Sequence, residues 1–537
     1  MPEIYDLIIK NGRIADGTGR DLYRADIGIR GGKIATLGPD LEDAVAGQVL
    51  SAKDLVVAPG FIDAHSHDDF FPIIDSGCKE KVLQGVTTTV IGNCGFSPAP
   101  MTKQYAAVLK DTIRTIDDVG MAQSDLSTFN DFLSIVEDSK PGINVLPLLG
   151  HGTLRISAMG VSKRPPTDKE MGRMKESVSE AMKAGAFGMS TGLSYVPGEY
   201  AAAAEIDALA AVVAGFGGIY TSHIRNERDG VVDAVKEAIA VGVSAQVPVQ
   251  ISHLKVAGRN NWGRSREVFE VIEKAIASGA RITCDVYPYD AAGTGLAALL
   301  PPELFTEGYP AFSQKLKDSG FRRKLVRELE NNNGTGWEDK LKGTGFENIV
   351  ITGSSKFQEE NGQSVSEIAA RKGKNPYDVI FDMIEEEGNG VSVILFAMAE
   401  EDIRRIIAKP YVMIGSDGGP KIDQDFFHPR FTGTFPRIFS KYVRQDKVLG
   451  LEEAVCKMTS LPARTFGLTH KGVIKPGFDA DIVIFDPEKI RDRSTFENPS
   501  REPEGVQWVI VNGKIASEKG KVTRNRAGKV LRKNAYL

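Results

Sequence analysis

Histidine is scarce in this chain, seven in 537 residues, and cysteine (four) and tryptophan (three) are scarcer still. The cysteines, Cys78, Cys94, Cys284 and Cys456, show no CxxC or framework spacing, which argues against a disulfide scaffold and for reduced thiols in a cytoplasmic protein. No run approaches the roughly 20 apolar residues that span a bilayer, and the opening Met1-Pro-Glu-Ile-Tyr-Asp6 lacks the basic and apolar regions of a signal peptide. Neither sign of charge dominates. A net charge of −5 points to no nucleic acid and no membrane as partners. The one local excess, Arg524–Lys533, reads as a short solvated terminal segment.

The two ends of the chain look alike. Leu7-Ile-Ile-Lys-Asn11-Gly12-Arg-Ile14 and Ile27-Gly-Ile-Arg-Gly31-Gly32-Lys-Ile34 each place a turn dipeptide between apolar residues, a hairpin signal. Val509-Ile-Val-Asn512-Gly513-Lys-Ile515 nearly repeats the first, and Ala480–Phe485 is a further strand. Neither end alone has enough apolar residues for a core, so 1–58 and 468–537 are expected to build one small β domain together. Between them, 59–467 alternates apolar strands with helical stretches such as Thr167–Lys183 and Ser265–Ser278, the pattern of βα units around a parallel sheet. Strands are expected at Phe61–His65, Val86–Asn93, Asn144–Gly150, Gly185–Thr191, Ile219–His223, Val247–His253, Arg281–Val286 and Tyr411–Ser416. Eight strands close a barrel, so the fold class is α/β, a (β/α)8 TIM-like barrel carrying a small β-sandwich domain from both termini. Runs at 348–352 and 391–396 are also strand-like. Before the last strand, 292–346 reads as a helical insertion near the barrel mouth, either a lid over the site or a solvated decoration.

The scarce residues cluster where such a barrel does chemistry. His65 and His67 follow the first strand, and alternate residues of an extended segment share a side. Cys94 follows the second strand, His223 the fifth, His253 the sixth and Asp417 the eighth. All would meet at the C-terminal mouth. Each has a bland reading taken singly: a hydrogen-bonded structural histidine, a small buried thiol, a turn carboxylate. Five nitrogen or sulfur donors and a carboxylate at equivalent ends of different strands favour a metal site jointly, and zinc prefers imidazole and thiolate. His151 ends the third strand, with no role assigned beyond support around the site.

The motifs Gly60-Phe-Ile-Asp-Ala-His-Ser-His67, Gly92-Asn-Cys-Gly95, Thr221-Ser-His-Ile-Arg225, Ile251-Ser-His-Leu-Lys255, Asp285-Val-Tyr-Pro-Tyr289 and Gly415-Ser-Asp417 resemble the metal-dependent amidohydrolase superfamily. More closely, they are similar to its D-aminoacylase (N-acyl-D-amino-acid deacylase) branch. The resemblance covers nearly the whole chain, including Ser460–Gly467 and Gly472–Ile482. Many binuclear relatives bridge two metals with a carboxylated lysine on the fourth strand. Gly188-Met-Ser-Thr-Gly192 offers none, and Cys94 fits the branch's substitute. The resemblance implies a tight zinc at Cys94, His223 and His253, and a weaker second site at His65 and His67. It implies Asp417 as general base and acid for a metal-activated water, and Lys255, Tyr287 and Arg430 as partners of a substrate α-carboxylate. The expected reaction is hydrolysis of a small-molecule N-acyl-D-amino acid to a carboxylate and a free D-amino acid. Open alternatives are a dipeptidase for peptides ending in a D-residue, a cyclic-amide (hydantoin-type) hydrolase, and a non-catalytic barrel scaffold. Oligomeric state and substrate side chain are not readable from the residues.

Overall fold

The computed structural model describes residues 4–39, 41, 45–114, 126–331, 336–420 and 426–536. Eight parallel strands form its centre: Phe61–Asp63, Val86–Ile91, Asn144–Pro147 continued by Leu149–Gly150, Gly188–Gly192, Ile219–His223, Val249–Ile251, Ile282–Val286 and Val412–Ile414. The third strand is interrupted at Leu148, whose amide still donates to Ile91 O (3.0 Å). The ring closes between the first and eighth strands, where Ala64 N donates to Ile414 O (3.3 Å) and Asp417 N to His65 O (2.8 Å). This is a closed (β/α)8 barrel. Its strands read as near-continuous apolar or small residues because both faces are covered: every residue of Val86–Ile91 is buried.

The flanking helices follow from periodicity and caps. Asp168–Ala184 opens on a capping box, Thr167 accepting from Glu170 N while the Glu170 carboxylate accepts from Thr167 N, and ends at Gly185 in the left-handed region. Ser265–Ala277 buries Val268, Phe269 and Ile272 on one face. Among the described residues, no helix is long and apolar enough to cross a membrane.

Both termini enter one nine-stranded sheet. Ile482–Phe485 lies antiparallel to Val56–Pro59, which runs parallel to the end of Ile4–Ile14. Its core is aliphatic, with Ile9, Ile27, Ile482 and Ile510 fully buried. The Gly31–Gly32 and Asn512–Gly513 hairpins form as expected. The Asn11–Gly12 hairpin does not. Ile4–Ile14 is a single strand in which Asn11, at φ 61°, and Gly12 make a bulge; the chain turns back later, through 15–22. Asn11 N donates to Asp26 Oδ1 (2.7 Å), and a Cβ on Gly12 would come within 2.6 Å of Val57, so the pair serves close strand packing.

The basic tail is also not a solvated segment. Val530 and Leu531 are buried, and Leu531 N donates to Val145 O (2.8 Å) beside the third barrel strand. Arg532 donates to Ala184 O (2.6 Å) and pairs with Glu137 (3.0 Å). Apolar residues between the basic ones anchor the segment, and the long charged stems follow.

Between the seventh and eighth strands, Ala291–Gly295, Ile349–Gly353 and Ser392–Phe396 pair antiparallel in a separate three-stranded sheet. The strand-like runs at 348–352 and 391–396 therefore stay outside the barrel. Helices Tyr309–Lys315, Ser319–Glu330, Val365–Lys372 and Pro376–Glu387 fill out this segment.

Candidate metal centre and active site

The barrel mouth opens into a cavity of about 580 Å³ whose wall includes His67, Cys94, His223, His253, Lys255 and Asp417. Two donor groups meet there: His65, His67, Cys94 and Asp417, and Cys94, His223 and His253, the ligand atoms within each lying no more than 4.8 Å apart. Cys94 belongs to both. Its Sγ is 3.3 Å from His65 Nε2 and 3.3 Å from His253 Nε2. Asp417 Oδ1 is 3.1 Å from His67 Nε2 and 3.5 Å from His65 Nε2.

Local backbone geometry delivers these atoms. Cys94 (φ 52°), His253 (φ 33°) and Asp417 (φ 49°) all occupy the left-handed region, which disfavours residues with a Cβ and is held only where the surroundings over-determine it. Around Cys94, Gly92 and Gly95 share that conformation, and a Cβ on Gly92 would sit 2.0 Å from Leu148 O. Ser190, on the strand that lacks the bridging lysine, donates to Gly92 O (2.5 Å) and accepts from Gly95 N (3.0 Å), pinning the turn. Asp285, on the seventh strand, accepts from His253 N (2.9 Å) and Gln250 Nε2 (2.5 Å), and lies 3.5 Å from His65 Nδ1.

The charges reinforce one another. Burial raises the Cys94 thiol, but His65 and His253 outweigh it and hold Cys94 well below the usual thiol range. Burial likewise raises Asp417, and Arg430 and His253 overcome it, keeping the carboxyl well below its ordinary value. A thiolate and a carboxylate among four imidazoles is a donor set that zinc would take.

The expected carboxylate partners face the same cavity, with added connections. Lys255 Nζ meets Glu227 Oε1 at 2.7 Å, and that oxygen lies 3.0 Å from His253 Nδ1. Arg430 Nη1 is 2.8 Å from Asp417 Oδ2, and its guanidinium sits 4.7 Å from the Tyr287 ring centre. The Lys255 ammonium lies 5.4 Å from the same ring. The Tyr287 hydroxyl is buried, with no hydrogen-bond partner among the described residues. Burial pushes its pKa up to about 12, with Lys255 and Arg430 opposing. Gly293 gives Arg430 room: a Cβ there would be 3.2 Å from Nη2.

Glu227, four residues past His223, is the functional-site residue that sequence reasoning missed. Its one signal was an acid in the loop directly after a candidate ligand. Glu338, from the segment between the seventh and eighth strands, accepts from Glu227 N (2.8 Å) and pairs with Lys340 (2.6 Å). His151 does not join the site. Its Nε2 is 2.8 Å from Glu205 Oε1, which with Arg155 makes a buried structural cluster.

A model of the amidohydrolase family matches residues 342–516. A D-aminoacylase of Alcaligenes xylosoxydans xylosoxydans is 36% identical over 531 residues, covering 99% of this chain and 98% of that protein. An N-acyl-D-glutamate deacylase of the same organism is 37% identical over 542 residues, covering 100% and 98%. The crystal structure of N-acyl-D-glutamate deacylase from Bordetella bronchiseptica, complexed with zinc and a phosphonate inhibitor, matches with a TM-score of 0.83 and 35% identity, covering 99% of this chain and all of that one. The barrel, its terminal sheet and the histidine–cysteine mouth define a metal-dependent amidohydrolase. Within that superfamily the chain belongs to the D-aminoacylase family, the N-acyl-D-amino-acid deacylases.

Proposed function

We propose that this chain hydrolyses the amide bond of N-acyl-D-amino acids, releasing a carboxylate and a free D-amino acid, with zinc as its metal. One observation carries the reading. The Lys255 and Arg430 cations lie 5.4 and 4.7 Å from the centre of the Tyr287 ring, whose buried hydroxyl has no hydrogen-bond partner among the described residues, in the cavity that also exposes the donor cluster and Asp417. A carboxylate fits between those cations, and its amide then reaches the donor cluster in a hand set by that anchor.

Cys94, His223 and His253 would hold the tighter zinc, and His65 and His67 a weaker one. A solved D-aminoacylase, 35% identical to this chain, is described as activated by one metal and attenuated by a second. Bound there, zinc would polarise the amide carbonyl and make water a stronger acid. Asp417, kept ionised beside Arg430, accepts the proton of the attacking water and delivers it to the departing nitrogen. Lys255, Tyr287 and Arg430 orient the substrate. Glu227 holds Lys255 and the far nitrogen of His253 in place. We take 1–58 with 468–537 as the sheet domain and 59–467 as the barrel. The 292–346 segment is read as a lid, because Glu338 and Lys340 reach the cavity wall. A cytoplasmic location fits the four unpaired cysteines.

The test is hydrolysis of N-acetyl amino acids, each as both enantiomers, beside L,D-dipeptides and a hydantoin, by zinc-loaded protein. Turnover confined to D-forms of the acetyl substrates is the expected result. Activity on L-forms or the hydantoin alone would overturn the substrate assignment. Asp417→Asn should keep its zinc and lose nearly all turnover.

A further inference from the structure

Lys81 is completely buried, outside the cavity, and ends in a knot of polar groups. Its Nζ lies 2.7 Å from Asp63 Oδ2, 3.1 Å from Asp68 Oδ2 and 2.8 Å from Ser416 Oγ. Asp63 Oδ2 also accepts from Ser416 Oγ (2.6 Å), while Asp63 Oδ1 accepts from Ser416 N (2.8 Å) and His65 N (3.3 Å). Ser416 Oγ in turn accepts from Gly418 N (3.0 Å). Asp68 Oδ2 accepts from Thr89 Oγ1 (2.6 Å), which bonds to Ser66 Oγ (2.8 Å).

The placement of these residues in sequence matters. Asp63 lies two residues before His65, Asp68 one after His67, and Ser416 one before Asp417. One ammonium thus joins both flanks of the His65–His67 segment, just after the first strand, to the turn that carries Asp417, just after the eighth. These are the strands across which the barrel closes. Asp417 sits at φ 49°, a conformation that a residue with a Cβ keeps only where its surroundings hold it. Buried ion clusters contribute little net stability compared with apolar replacements, so a cation at this depth is better explained by the geometry that it fixes.

We propose that Lys81 and Ser416 are positioning residues, setting the distance and direction of Asp417 relative to His65 and His67. Resting on the reading of Asp417 as proton acceptor, this adds residues that touch neither substrate nor metal. Ser416→Ala removes one hydroxyl and keeps the charge triad, so it is the primary variant. Lys81→Met is the second. The measurements are kcat and KM for the best N-acetyl-D-amino acid, expressed per zinc-loaded folded chain, and the visible spectrum of the cobalt-substituted protein.

In Ser416→Ala, KM should stay within about twofold, because Lys255 and Tyr287 follow the sixth and seventh strands, while kcat falls roughly tenfold to a hundredfold, the scale of a positional error of about 1 Å. The cobalt bands should shift as the His67–Asp417 contact changes. Lys81→Met, where it folds, should lose at least as much kcat. A Ser416→Ala kcat within twofold of wild type overturns the inference. Wild-type turnover of D-forms in the same assay keeps that outcome distinct from failure of the activity reading, which would show as an inactive wild type.

Discussion

Arg430 is the side chain whose removal tests most of the site at once. It is 5% exposed, 2.8 Å from Asp417 Oδ2 and stacked on Tyr287. At an effective dielectric constant near 20, two unit charges at that distance attract by about 6 kcal/mol, a gross figure that desolvation reduces. Losing one partner of a buried pair costs about 3–5 kcal/mol. Arg430→Met therefore has two consequences. It takes a cation from the substrate carboxylate, and it strips Asp417 of the charge that most opposes its burial. A combined loss of about 3–4 kcal/mol in the transition state is a fall of roughly 10²- to 10³-fold in kcat/KM. The Asp417 carboxyl rises at the same time, so the acid limb of the kcat profile should move to higher pH. The assay compares wild type and variant on an N-acetyl-D-amino acid and on its α-carboxamide. If Arg430 grips the carboxylate, the wild-type to variant ratio should be at least about tenfold smaller for the carboxamide, which lacks the charge that Arg430 would hold. Equal ratios for both substrates would show that Arg430 only orients Asp417, and the proposed clamp would lose that member. Arg430→Lys should fall between, since a point charge cannot meet Asp417 and a carboxylate as a planar fork does.

Three further outcomes can be measured. Cys94→Ala removes the donor common to both clusters, so zinc per chain, measured by atomic absorption, should fall along with activity. Glu227→Gln takes an anion from Lys255 and from His253 Nδ1; zinc affinity, read by competition with a chelator, should weaken about 10- to 100-fold, and unchanged affinity would refute the supporting role. Glu199, beside Arg225, is pushed up to about 7 from an ordinary 4.5, burial outweighing Arg225 and Lys340. The folded state then binds more protons than the unfolded between those values, so stability declines as pH rises through that window, by at most about 3 kcal/mol. Glu199→Gln should raise the denaturation midpoint at pH 8 and leave it unchanged at pH 4; equal shifts at both pH values would dismiss the titration.

The donor set was legible because each member stands at a point that the local sequence defines. His65, Cys94, His223, His253 and Asp417 all directly follow apolar runs, and a closed parallel barrel brings such ends to one mouth whatever the helices between them do. Only the count of strands was needed. The first hairpin failed for a related reason. Asn11–Gly12 has the composition of a tight turn, but Ile8 and Ile9 before it and Ile14 after it continue along one neighbour, Tyr23–Arg30. The dipeptide's tolerance of positive φ was used for a bulge inside a strand. Turn chemistry fixes a backbone conformation, and pairing decides whether the chain reverses there.

What was not legible depends on contacts between segments far apart in sequence. Ala291-Ala-Gly-Thr-Gly295 is too small-sided to read as a strand, yet small residues are what its place requires, with the Arg430 guanidinium against Gly293. Glu227 resembles any loop acid until Lys255, 28 residues later, is found 2.7 Å away and Glu338, 111 residues later, takes its amide. In each case the chemistry of one residue is set by a partner with no periodic or spacing relation to it. The same holds for Lys81, an unremarkable basic residue in Lys79-Glu-Lys-Val82, whose role emerges only when the first and eighth strands meet. Sequence periodicity locates the groups that bind and react, because strand ends carry them. The residues that hold those groups in register are spread through the loops, so they become visible only once the barrel has closed.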